Sequence, residues 1–202
     1  MAATVTVSRI ILASASPRRA ALLAQIGIPF EQLAVDVEEA VRPGETAEEA
    51  AVRLALEKAD RAASQVKGAA IVLAADTQVE VEGRNLGKPA DADDAARMLR
   101  LLAGRTHRVV TGVAALRLPD QAVRTAAECT LVSFAPLTEE EIRAYVATGE
   151  PMDKAGGYGI QGWAGVFVTR IEGCYFNVVG LPLYRTVVLL RELGWRPPTS
   201  TW

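Results

Sequence analysis

The pattern of apolar and polar positions divides the chain into alternating strands and helices. Val5–Ala13 is rich in Val and Ile and predicts a strand. Ser16 and Pro17 then suit the N-cap and first position of a helix running to about Ile26, with Gly27 as its stop. Phe30–Val35 predicts a short strand, and Pro43-Gly44 breaks the chain. Thr46-Ala47-Glu48-Glu49 forms a capping box before an alanine-rich helix that reaches about Gln65. The apolar run Ala69–Ala75 predicts a buried central strand, extended through Thr77–Val81 to a turn at Glu82-Gly83. Asp91 caps a helix that ends at Gly104. Thr106–Leu118 and Ala122–Phe134 predict two long strands joined at Pro119-Asp120. Thr138-Glu139-Glu140-Glu141 opens a further helix that stops at Gly149. Beyond a glycine-rich stretch, Val166–Ile171 and Tyr175–Val179 predict a hairpin around Glu172-Gly173, before a last helix over Leu183–Leu193. This order favours an α/β or α+β domain with a mixed sheet.

Length and composition narrow the class. The chain has 202 residues, half of them hydrophobic, which suits a single domain with two lobes around a cleft. A net charge of −2 without a basic stripe argues against nucleic acid as partner. Cys129 and Cys174 form no metal or redox spacing and read as reduced thiols in or near the core. His107 is the only histidine and reads as structural, which disfavours a histidine metal site or a catalytic triad. Apolar runs fall short of the roughly 18–20 residues of a membrane span. The first residues lack the pattern of a signal peptide, so a cytoplasmic location is expected.

Four places carry chemistry. Arg18 and Arg19 sit in the first turn of a helix, where the dipole favours anions instead. That placement suits a bound phosphate, although solvated surface arginines are the alternative. Lys58 shares a helix face with Ala51, Leu54, Ala55 and Ala62, and either snorkels to solvent or points into a cleft. Asp76-Thr77 ends the apolar run, a favoured place for metal ligation or proton abstraction. The stretch Asp153–Gly162 interleaves glycines with Tyr158 and Ile160. Its backbone can approach a ligand closely, and Gln161 can read a base edge. Lys88, in Gly87-Lys88-Pro89, is a weak signal alone.

Together these residues resemble the Maf family of nucleotide pyrophosphatases. The resemblance rests on Ser14-Ala15-Ser16-Pro17-Arg18-Arg19-x-x-Leu22-Leu23, Glu57-Lys58-Ala59, Ala75-Asp76-Thr77, Gly87-Lys88-Pro89 and Gly104-Arg105-Thr106-His107. Its strongest part is Gly149–Gly162, and the motifs span about Ile10 to Trp195 in the family's order. Departures are small: Ala103 stands for a common serine and Gly157 for a frequent alanine.

The resemblance implies a two-lobed α/β fold like that of the inosine triphosphate pyrophosphatases, with a long mixed sheet flanked by helices and a central cleft. It implies cleavage of a nucleoside triphosphate to monophosphate and pyrophosphate with Mg²⁺ or Mn²⁺. The Asp153–Gly162 form is similar to the branch acting on dTTP and UTP. By position, Asp76 matches the proton acceptor and a metal ligand, and Arg18, Thr77 and Gln161 match positions that set substrate preference. Ser14, Arg19, Lys58 and Lys88 match further binding residues, as does Glu39, chosen over Glu38. A homodimer is also implied. A different class of function, a nucleotide-binding regulator of cell division and septum formation, would need the cations but not the Asp76 carboxylate.

Overall fold

The structure, a computed structural model, describes residues 9–197. The first part of the strand expected over Val5–Ala13 lies outside them, and what is described is β1, Ile10–Leu12. α1 covers Pro17–Gln25, and the Ser16 side chain accepts from the Arg19 amide at its start. The strand expected over Phe30–Val35 is reduced to β2, Glu31–Gln32. α2 spans Ala47–Ala63 behind a full Thr46/Glu49 capping box. β3, Ala70–Val81, turns at Glu82-Gly83 into β4, Arg84–Leu86. α3, Ala92–Leu102, is capped by Asp91. β5 and β6 cover Thr106–Leu118 and Ala122–Phe134, and α4, Glu139–Ala147, follows the Thr138 capping box.

The expected C-terminal hairpin is not formed. Val168–Glu172 is β7, but Tyr175–Val179 is a short helix, α5. The reason sits in its middle. Asn177 is fully buried, and its Nδ2 donates to Val109 O at 2.8 Å and Thr130 Oγ1 at 2.9 Å. A helical turn buries Asn177 beside Val179, which the apolar run alone does not indicate. α6, Leu183–Glu192, is the last helix among the described residues. A second correction concerns Cys129, which is exposed on β6 and not in the core, while Cys174 is half-buried.

The strands form one sheet in the order β2-β1-β3-β5-β6-β7, with β4 beside β3. β2, β1 and β3 run parallel, and the remaining pairs are antiparallel. Alternation along β3 gives the sheet two apolar faces. Ile71 and Leu73 pack with Leu22, Leu23, Leu189 and Leu190, whereas Val72 and Ala74 pack with Ala55, Ala59 and Ala62 of α2. The far halves of β3 and β5 carry Val79, Val81 and Val109 into a separate core with Leu99, Phe134, Tyr145 and Tyr158. The lobes thus share β3, and Asp76, Thr77 and Gln78 lie where one core gives way to the other.

Candidate active site

A cleft of about 780 Å³ opens at this junction, and Ser14, Arg18, Arg19, Glu39, Lys58, Asp76, Thr77, Lys88 and Gln161 all line it. The sheet alternation sends neighbouring β3 residues to opposite sides. Asp76 faces α2, where it is 4% exposed. Lys58 Nζ donates to its Oδ1 at 2.6 Å, and Gln78 Nε2 donates to Oδ2 at 2.6 Å. A buried carboxylate is thereby held by one charged and one neutral donor, the condition under which burial is tolerable.

Lys58 does not snorkel to solvent. It is 7% exposed, and its ammonium also donates to Glu39 Oε1 at 2.5 Å. Lys88 Nζ donates to the other Glu39 oxygen at 2.6 Å. The result is an alternating row, Lys88, Glu39, Lys58, Asp76. Burial pushes the Glu39 carboxyl up, but the two ammonium groups outweigh it and hold the pKa at about 2.

Thr77 faces the other side, toward α1 and α5. Arg19 Nη2 donates to Thr77 Oγ1 at 3.1 Å, Nε to Gly180 O at 2.8 Å, and Nη1 to Ser14 Oγ at 3.3 Å. Burial lowers the Arg19 pKa, against the pull of Asp76 and Glu39. The two arginines therefore diverge. Arg19 is turned inward, while Arg18 reaches across the cleft and pairs with Asp153 Oδ2 at 3.0 Å. Ser14 is 6% exposed, and its Oγ also accepts from the Ser16 amide at 3.1 Å.

The glycine-rich stretch forms the opposite wall through short 3-10 turns at Glu150–Asp153 and Ala155–Gly157. Gly156 has φ +72°, and a side chain there would press on Val79 at 2.9 Å, so glycine is required for this close approach. Tyr158 is buried, and its hydroxyl lies 2.7 Å from His107 Nε2. His107 is 1% exposed and serves the wall of the cleft from behind. Gln161 is exposed at the cleft edge.

The charges in the cleft are nearly balanced. Arg18, Arg19, Lys58, Lys88 and Lys154 face Asp36, Glu39, Asp76 and Asp153, leaving one positive charge in excess. Among the described residues no group of three or more His, Cys, Asp or Glu side chains is arranged to hold a metal ion. The Asp76 and Glu39 carboxylates do meet on one ammonium, which suits an ion that takes one or two carboxylates and completes its shell with phosphate oxygens and water. Sequence reasoning missed Gln78, although it lies two residues beyond Asp76 on the same strand face. It also missed Asp153, which the glycine-rich stretch begins with. Thr111 and Asn177 had no local signal.

The family profile described as Maf-like protein matches residues 9–193. A protein of Symbiobacterium thermophilum named dTTP/UTP pyrophosphatase is 53% identical over 93% of this chain and 95% of its own. One of the same name from Hyphomonas neptunium is 54% identical over 93% and 96%. The structure of a HAM1 protein from Coxiella burnetii covers 91% of this chain and 98% of its own at 16% identity and a TM-score of 0.48, a likeness too slight to weigh beside the family match. With the profile spanning both lobes and every cleft motif inside it, the chain belongs to the Maf family.

Proposed function

We propose that this protein hydrolyses dTTP and UTP between the α- and β-phosphates, releasing the monophosphate and pyrophosphate. The observation that carries the reading is the buried Asp76 carboxylate, held by Lys58 and Gln78 at the floor of a cleft lined with basic side chains. The names of relatives at 53% and 54% identity support the substrate pair.

In this reading Asp76 accepts a proton from the water that attacks the α-phosphorus. Lys58 and Gln78 keep the carboxylate oriented. Arg18 and Lys88 exchange their carboxylate partners for phosphate oxygens, while Arg19, kept on Thr77 Oγ1, Ser14 Oγ and Gly180 O, offers its two remaining N–H groups, and together they stabilise the departing pyrophosphate. Gln161 meets the nucleoside end, and Ser14 holds Arg19 in place. A triphosphate brings about four negative charges to a cleft with one positive in excess, so a divalent cation offsets most of the remainder. Asp76, with Glu39, would hold Mg²⁺ or Mn²⁺, which when bound polarises phosphate oxygens. The homodimer implied by the family resemblance is checked by analytical ultracentrifugation.

The deciding experiment incubates purified protein with dTTP or UTP and Mg²⁺ and identifies the products. Pyrophosphate with monophosphate is expected. Orthophosphate with a diphosphate would overturn the cleavage position, and tight binding without turnover would favour a nucleotide-binding regulator.

A further inference from the structure

We infer that Thr111 fixes the direction of the Thr77 hydroxyl, so that Thr77 offers the nucleotide only an acceptor and selects a hydrogen-bond donor on the nucleoside. The inference rests on the proposed hydrolysis of pyrimidine triphosphates and deepens it.

Thr111 lies on β5 directly across the ladder from Thr77 and is fully buried. The two hydroxyl oxygens are 2.9 Å apart. Thr111 Oγ1 is also 3.0 Å from the backbone carbonyl of Asn177, which can only accept. That carbonyl is held still because the Asn177 side chain is anchored on Val109 O and Thr130 Oγ1. Each hydroxyl has one proton. Only one assignment makes every bond: Thr111 donates to Asn177 O, and Thr77 donates to Thr111. The reverse assignment gives up the bond to Asn177 in a buried setting, where lost hydrogen bonds are not replaced by water.

Arg19 Nη2 fills one lone pair of Thr77 Oγ1 at 3.1 Å. The other is left for the cleft, which Thr77 lines. A phosphate oxygen, itself an acceptor, gains nothing there. An N–H or O–H of the nucleoside does. Uracil and thymine carry such a donor at N3 and cytosine does not, while the sugar carries one at its 3′-hydroxyl. Thr111 is thus a positioning residue for specificity, acting through Thr77.

The test compares kcat and KM for UTP, CTP and 3′-deoxyuridine triphosphate in the unaltered protein, Thr111→Val and Thr111→Ser. If the donor is N3–H, the unaltered protein prefers UTP to CTP. If it is the sugar hydroxyl, it prefers UTP to the 3′-deoxy substrate. In Thr111→Val the Thr77 proton is released to turn into the cleft. The relevant preference then falls about fivefold, mainly through KM, while Thr111→Ser keeps it. Should Thr111→Val fail to fold, Thr111→Ala makes the same comparison. Unchanged ratios in the variant lacking the hydroxyl, or a serine variant that behaves like it, would overturn this inference alone. No pyrophosphate from any substrate with the unaltered protein would overturn the proposed function with it.

Discussion

Gly112 stands directly across the β3–β5 ladder from Asp76, and a methyl group added to it would strike the backbone of Ala51 and Val52 in α2. The bare backbone lets the helix settle onto the sheet. Ala51 precedes Lys58 by about two turns on the same helix face, so the height of α2 at Gly112 sets how far Lys58 reaches toward Asp76. Gly112→Ala is expected to lower stability by about 1–3 kcal/mol in urea denaturation and to reduce kcat in the same protein. Wild-type values of both would show that the helix contact is not limiting.

Asp76→Asn keeps the shape and removes the charge. If Asp76 accepts the proton from water, kcat should fall by about 10²–10⁴-fold with the fold intact by circular dichroism. Turnover near that of the unaltered protein would remove Asp76 from the chemistry.

Glu39 gives a pH signature. Its pKa is lowered from 4.5 to about 2 in the folded state by Lys58 and Lys88. The unfolded state therefore binds more protons in this window. The stabilisation is present above pH 4.5 and is lost as pH falls through about 2. Glu39→Gln should flatten stability against pH across that interval. With side-chain exposure of 38%, water and salt screen the pairs, so the effect should be modest and weaker at high ionic strength. An unchanged slope would show that the row of charges is not coupled to folding.

His107 is the only histidine, so the imidazole proton signals of the protein belong to it alone. Burial pushes its pKa from 6.5 down to about 4. The neutral form contributes stability above pH 6.5, and this is lost as pH falls through about 4. An NMR titration should show the ring neutral at pH 5.5, with a midpoint close to 4. A midpoint near 6.5 would mean that water reaches the ring and that the Tyr158 contact does not persist.

Legibility from sequence followed the range of the interactions. The N-caps at Ser16, Thr46, Asp91 and Thr138 are local, and all four appear as read. Asp76 was visible because an apolar run ends on it. Lys58 was visible because its helix face is otherwise alanine and leucine, and burial on Asp76 settled which way it points. Glu39 sits in a segment without periodicity, and only the family resemblance singled it out. Thr111 and Asn177 were beyond reach for a different reason. Thr111 matters through its partner across the sheet, and pairing between strands is not written in either strand alone. The local apolar pattern places Asn177 inside a strand, but its buried bonds to Val109 and Thr130 override that pattern.

Pairing between β3 and β5 runs from Ala70 opposite Leu118 to Glu80 opposite Arg108. Because side chains alternate along a strand, a slip by one residue would reverse the faces of everything β3 carries. The acid would then turn toward Arg19 and the hydroxyl toward Lys58. Apolar residues flank the pair on both faces of the strand, so such a slip would also expose Ile71 and Leu73 to the wrong layer. The length of this ladder thus guards the cleft against transposition: a misaligned chain loses its core before it can display the wrong chemistry.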